Sequence, residues 1–339
     1  MWTRSATRLK WANHLDRTPR QLALFVAFGA ALALGGSVGV AWAAGLGKVE
    51  TRLLHAQPDW IPLALVAEAV AYLGYVLAYR ELARVGGGAE LELAQVVALV
   101  TTGFGVFIAR GGFAVDQQAF RDAGVSRRDA RVRVLGLGAL EYALLAPAAC
   151  LASLILLVRG AAKPSASFTL PWAIGVPVGA ALVAGLLAQR ARDGRRTRWR
   201  SWLAWALEPG EVVRKLIAQP LRHGLGLFGM GLYWFGEVLC LWATLRVFLV
   251  RPPSLSALIV GFATGYALTR RSLPLAGAGA VEALLPFALA WSGMPLAAAV
   301  LAVFCYRFFN LWLPVGPALA GLNALKTCRL ARPAASESG

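Results

Sequence analysis

Residues 261–321 read GFATGYALTRRSLPLAGAGAVEALLPFALAWSGMPLAAAVLAVFCYRFFNLWLPVGPALAG, an apolar run interrupted by paired arginines, by glycines and prolines, and by one glutamate. Apolar sequence of this length belongs in hydrocarbon. There the backbone must satisfy its own hydrogen bonds, and a charged side chain is costly unless it has a partner or a task. A helix needs roughly 20 apolar residues to cross a bilayer. Residues 296–320 meet that requirement, but 255–292 is broken midway by Arg270, Arg271, Pro274, Gly277 and Gly279 and does not read as a simple crossing.

The rest of the chain follows the same logic. With 58% hydrophobic and 15% charged residues and a mean hydropathy of +0.61, it is too apolar for a soluble globule. Continuous apolar blocks at 22–46, 60–79, 132–158, 170–188 and 223–250 join 296–320 as spans, and their continuity argues against an alternating β-barrel. The expected fold is an all-α polytopic membrane protein with about six full transmembrane helices plus two re-entrant or broken helical hairpins, 91–123 and 255–292. A basic N-terminus, 1–21, precedes a single integral membrane domain, 22–325, and a tail, 326–339, follows it. The first apolar block comes after basic residues as a signal peptide would, yet its full span length reads as a retained anchor.

A net charge of +17 would suggest nucleic acid in a soluble protein. Here the arginines gather between spans, so anionic membrane lipid is the expected partner and nucleic acid is not. Under the positive-inside rule, Arg4, Arg8, Lys10, Arg17 and Arg20 place the N-terminus in the cytoplasm. The groups Arg121 to Arg133, Arg190 to Arg200, and Lys326 to Arg332 belong on the same side of a cell inner (plasma) membrane. Both termini are cytoplasmic only if 91–123 enters and leaves on that face and 255–292 does so on the other. The alternative is a full crossing with a local breach of the rule.

The two broken segments also echo one another. Gly103-Phe104 leads to Arg110, Gly111-Gly112 and Asp116, while Gly261-Phe262 leads to Arg270-Arg271, Gly277, Gly279 and Glu282. Opposed broken segments are what an inverted-repeat transporter presents, with substrate near the midplane. Chance similarity in Gly- and Ala-rich sequence is the other explanation. Between the halves, Trp199, Trp202 and Trp205 lie among Arg198 and Arg200, a pattern expected of a helix in the headgroup region that Pro209-Gly210 should end.

The polar residues within apolar sequence are the candidate site. Arg270 and Arg271 precede a stretch that proline and glycine make poor helix, with a new half-helix expected near Gly279. Two guanidiniums, joined in the first hairpin by Arg110, and a helix N-terminus flanked by Gly277 and Gly279 suit a phosphate. The plainer reading is that the arginines snorkel to an interface. Arg307 sits mid-span with Asn310 on the same face, so it needs a partner, for which Glu282 is the first choice and Glu237 the second. Glu68, Glu141, Glu237 and Asp116 complete the set, for structural pairing or for proton coupling.

Enzymatic signals are weak. His14, His55 and His223 are scattered, Cys150, Cys240, Cys305 and Cys328 form no close pair, and neither a phosphate-binding loop nor a nucleophile elbow occurs. No enzyme activity, metal or cofactor is expected.

The run Arg270-Arg271-Ser272-Leu273-Pro274-Leu275-Ala276-Gly277-Ala278-Gly279-Ala280-Val281-Glu282, followed by Gly293-Met294-Pro295, Tyr306-Arg307 and Trp312-Leu313-Pro314, resembles the lysylphosphatidylglycerol synthase transmembrane-region family. With Gly124-Val125-Ser126 the resemblance extends over about 20–325. Members commonly carry Pro-Gly-Gly before Leu-Gly-x-x-Glu, whereas here the proline is displaced to Pro274. In the multiple peptide resistance factors, this region is implied to flip aminoacylated phosphatidylglycerol made by a separate synthase domain. The present chain ends soon after its last span, so lysyl transfer is not expected of it. The resemblance implies a lipid translocase or flippase handling an anionic phospholipid or a polyprenyl-phosphate, lipid-linked sugar. The competing expectation is a non-transporting accessory subunit of an envelope glycosyltransferase, and a third is a lipid-modifying enzyme.

Overall fold

A computed structural model describes residues 19–88, 90–110, 116–117, 120–121, 125–160, 164–192, 198–249, 251–267 and 277–317. Every regular element among them is helical. In chain order these are α1 (Pro19–Ala44), α2 (Leu46–Leu54), a 3₁₀ turn (Pro58–Trp60), α3 (Ile61–Arg84), α4 (Leu93–Arg110), α5 (Arg127–Val158), α6 (Ala166–Arg192), α7 (Arg198–Ala218) and α8 (Pro220–Phe248). There follow α9 (Leu255–Phe262), which continues as a π turn (Ala263–Ala267), then α10 (Ala280–Trp291) and α11 (Leu296–Arg307), which continues as a second π turn (Phe308–Trp312). Six helices among the described residues are long and apolar enough to cross a membrane. The protein is an all-α, multi-pass membrane protein.

Several helices overrun the apolar blocks that announced them. α3 continues past 79 to Arg84, and α5 starts at Arg127, where the Ser126 hydroxyl accepts the Asp129 amide at 3.1 Å. Backbone hydrogen bonding does not stop where hydrocarbon stops. A cap, not a change of polarity, sets a helix end. The expectation that Pro209-Gly210 ends the interfacial helix is overturned, because α7 runs unbroken from Arg198 to Ala218 with Pro209 inside it. Proline costs a helix about 3 kcal/mol in isolation. Here α7 lies across α5 at Gly136, close to Val212 and the Pro209 carbonyl, and buried packing offsets that cost.

The centre of the bundle is the antiparallel pair α3 and α8. Small residues let their backbones touch: a Cβ at Gly74 would lie 2.5 Å from the Gly229 carbonyl, and one at Gly236 would lie 2.5 Å from the Ala67 carbonyl. With no hydrophobic drive between helices in lipid, such close approach supplies the van der Waals contact that holds them. At one end of this pair the Gln57 amide bonds the Val247 carbonyl at 2.8 Å, and the Arg246 guanidinium lies 4.4 Å from the Trp60 ring centroid. At the other, basic end, Glu81 meets His223 at 3.8 Å. α6 is the most peripheral of the spans and has only 6% of its apolar window buried.

Both broken segments return to the face they leave. Arg133, near the start of α5, donates from Nη1 to the carbonyls of Leu82 and Ala83 at the end of α3, each at 2.9 Å. The Phe120 ring stacks on Tyr79 of α3, at 5.4 Å between centroids. The chain from α3 to α5 therefore leaves the basic end and comes back to it. The second segment opens the other way. It follows the end of α8 beside Gln57 and leads into α11, which packs against α2.

The limbs of this second hairpin are α9 with its π turn and α10, packed antiparallel. A Cβ at Gly261 would lie 2.8 Å from Ser292 Oγ, and one at Gly265 would lie 2.6 Å from the Leu285 Cα. At 12 residues, α10 is about 18 Å long, far short of a bilayer core of about 30 Å.

Candidate functional site

The inner end of α10 is built from glycine and carboxylate. Gly279, the residue before the helix, has φ +84°, a left-handed conformation that L side chains rarely adopt. It is also wedged against α1, since a Cβ there would lie 3.0 Å from the Leu32 carbonyl, and a Cβ on Gly36 would lie 2.7 Å from the Gly279 carbonyl. The Gly279 amide donates to Glu282 Oε2 at 2.7 Å, so the carboxylate caps the helix whose first turn it occupies.

The other oxygen of Glu282 faces Arg307. Arg307 Nε donates to Oε1 at 2.7 Å, and both side chains are 1% exposed. Arg307 Nη1 lies 3.4 Å from Asn310 Oδ1, which also accepts the Tyr266 hydroxyl at 2.8 Å. Asn310 Nδ2 donates to Glu237 Oε1 at 2.7 Å, and the Tyr306 hydroxyl donates to Oε2 of the same carboxylate. One connected network thus links α8, α9, α10 and α11.

Its geometry depends on the two π turns. Ala263–Ala267 carries Tyr266 and Phe308–Trp312 carries Asn310. A π turn inserts a residue into the helical repeat and re-aims the side chains after it, which is why such turns recur at functional sites. The rings of Tyr266 and Tyr306, whose hydroxyls both enter the network, meet edge to face at 5.6 Å. Glu68 of α3 lies close enough to Glu237 and to the Cys240 thiol to interact with both.

Among the residues singled out from sequence, the structure brings together Glu237, Glu282, Arg307 and Asn310, with Glu68 adjacent and Gly279 at the cap. Glu141 is buried on α5, where its backbone carbonyl accepts the Trp234 indole N–H at 2.9 Å. Asp116 is buried in the first broken segment, and Gly277 is buried with φ +69° ahead of α10. Arg110 closes α4, and Arg198, Trp199, Arg200, Trp202 and Trp205 fall in the first turns of α7. Arg270 and Arg271 lie outside the described residues.

Sequence reading passed over Tyr266. A tyrosine in an apolar segment is an ordinary core residue until its hydroxyl is seen to reach Asn310. A signal was nevertheless present: a buried Tyr in hydrocarbon must find an acceptor, and the acceptors available were few.

The position of the Glu282 cap, the Tyr306-Arg307 pair and the turn into Leu313-Pro314 follows one pattern through the C-terminal half, and residues 25–318 match the family described as the lysylphosphatidylglycerol synthase TM region. The chain belongs to this family. No individual curated protein matches it. Within the lysylphosphatidylglycerol synthase TM region, the glutamate that opens α10 and the arginine at the end of α11 are therefore one unit in space, 25 residues apart in sequence. No group of three or more potential metal ligands occurs among the described residues.

Proposed function

We propose that this member of the family is a lipid translocase of a cell inner membrane, with its basic end in the cytoplasm. Its substrate class is a lipid with a phosphate-bearing headgroup, an anionic phospholipid or a polyprenyl-phosphate. The observation that carries the reading is the fully buried network Glu237–Asn310–Arg307–Glu282 at the inner end of a hairpin too short to cross. A chain seeking only stability does better with apolar packing than with a buried ion pair of this kind. Charge kept at membrane depth supports a path for a polar group.

In this reading Arg270 and Arg271, which lie in sequence between α9 and α10, hold the lipid phosphate, and Arg110 serves the first hairpin in the same way. The Glu282–Arg307 pair holds the start of α10 in register, and Glu237 and Glu68 set the polarity of the cavity wall. The opposed hairpins support alternating exposure of one cavity to the two faces.

The test is purified protein in liposomes carrying fluorescent anionic phospholipid or fluorescent polyprenyl-phosphate, with externally added quencher reporting lipid movement. Wild type should move one of the two lipids, and Arg270→Ala/Arg271→Ala should abolish the movement while leaving the melting temperature unchanged. Unchanged transport in that variant would sink the phosphate site. Absence of transport by wild type, with a glycosyltransferase retained through purification, would favour the accessory-subunit reading instead.

A further inference from the structure

A cavity of about 290 Å³ lies at the basic end of the bundle, between the Val85-Gly86 turn after α3, the first turns of α5 and the middle of α7. That size is near the lower bound of small-ligand pockets, roughly 300 Å³. We infer that it is a binding site for a phosphate group, separate from the buried network. The inference rests on which charges around the cavity are already satisfied.

The acids lining it are engaged. Glu208 is held by Arg128 through Nε at 3.4 Å and by a second bond from Nη2, Glu211 by Arg214 at 2.8 Å, and Asp129 by the Ser126 hydroxyl at 2.7 Å. Two lining cations form no ion pair among the described residues. Arg133 is only 9% exposed, bonds only the two α3 carbonyls through Nη1 among the described residues, and has a buried Nε with no partner there. The Asp129 carboxylate, one turn earlier, is near enough to feel its charge but makes no ion pair with it. The side chain of Lys215 of α7 forms no ion pair or hydrogen bond among the described residues, and its Nζ lies 3.6 Å from where a Cβ on Gly86 would sit.

A buried guanidinium with a free donor is costly, because its desolvation is not returned by a bond. The position is nevertheless built with care. A Cβ at Gly88 would fall 2.3 Å from the Arg133 guanidinium, so a bare backbone is what lets Arg133 lie there. A tetrahedral anion with several oxygens can take one bond from the planar fork of Arg133 and another from the mobile ammonium of Lys215 on the opposite wall. A phosphate monoester or diester fits that pair of donors. Its source is either a lipid headgroup at the membrane surface or a soluble phosphate compound.

The experiment uses the full chain, delipidated in detergent and titrated calorimetrically with inorganic phosphate, and the same chain in nanodiscs of phosphatidylcholine with and without dioleoyl phosphatidate. Binding of inorganic phosphate supports a soluble source. Binding confined to the phosphatidate nanodiscs supports a lipid headgroup. In either case Lys215→Gln should weaken binding roughly tenfold, the worth of one charge-assisted hydrogen bond. Glu208→Gln, which frees Arg128 to face the cavity, should strengthen it several-fold. Lys215 and Glu208 carry the test because Arg133→Gln would also remove the bonds that tie α5 to α3. Failure of both probes to bind wild type, or affinities unchanged within twofold in both variants, overturns the inference.

Discussion

Glu282→Gln isolates the buried ion pair with the least change of shape. In the native protein the two carboxylate oxygens divide their work, one accepting Arg307 Nε at 2.7 Å and the other the Gly279 amide at 2.7 Å. Glutamine offers one acceptor and one donor in the same space. Whichever way it turns, its NH₂ group faces another donor, either the guanidinium or the helix-capping amide. Of the other contacts of Arg307, Asn310 Oδ1 lies at 3.4 Å and the Tyr266 ring centroid at 6.0 Å, and neither carries a countercharge. Water does not compensate, since Arg307 is 1% exposed. Breaking a buried pair from one side costs about 3–5 kcal/mol. At roughly 2 °C per kcal/mol for a large domain, the melting temperature should fall by about 6–10 °C. Thermal unfolding of the detergent-purified protein, followed by tryptophan fluorescence, measures it. Glu282→Gln/Arg307→Met, which removes the stranded charge, should recover more than half of the loss. A fall of less than about 2 °C for the single variant, or strict additivity in the double variant, would refute the claim that this pair is one energetic unit.

Other outcomes follow from the same geometry. Gly229→Ala should destabilise by about 1–3 kcal/mol or more, because its Cβ would lie 2.7 Å from the Ala78 amide nitrogen, whereas Gly175→Ala, with nothing within 4 Å, should be neutral or stabilising in the same melting assay. Asn310→Leu removes partners from Glu237, Tyr266 and Arg307 together, and should lower the melting temperature more than Tyr306→Phe, which removes one bond of about 1–3 kcal/mol. Equal effects of these two would mean that Asn310 is not the junction of the network.

The family resemblance and the motif around Glu282 were legible because they lie in one continuous stretch, where spacing alone carries the pattern. The six spans were legible for the same kind of reason, since hydrocarbon thickness converts directly into a count of apolar residues. Helix ends were less so. Arg80 to Arg84 and Arg127 to Arg131 read as loop by charge, yet they are helical, because an exposed basic residue is no obstacle to backbone hydrogen bonding. Pro209 read as a break on propensity, and packing against α5 overrode it.

By itself the sequence determined the membrane class, the number of long spans and the need of Arg307 for a partner, for these are consequences of composition, length and the cost of charge in lipid. Only the tertiary structure decided which atoms meet. That both broken segments return to the face they leave followed from the bonds of Arg133 to the end of α3 and from the packing of α11 on α2. That Tyr266 and Asn310 meet followed from two π turns, Ala263–Ala267 and Phe308–Trp312, whose first positions, 263 and 308, lie 45 residues apart and which composition does not announce. The physical reason is the same in each case: burial energy depends on local residue type and can be read along the chain, whereas a hydrogen bond depends on the relative placement of two segments, which exists only once the helices have packed.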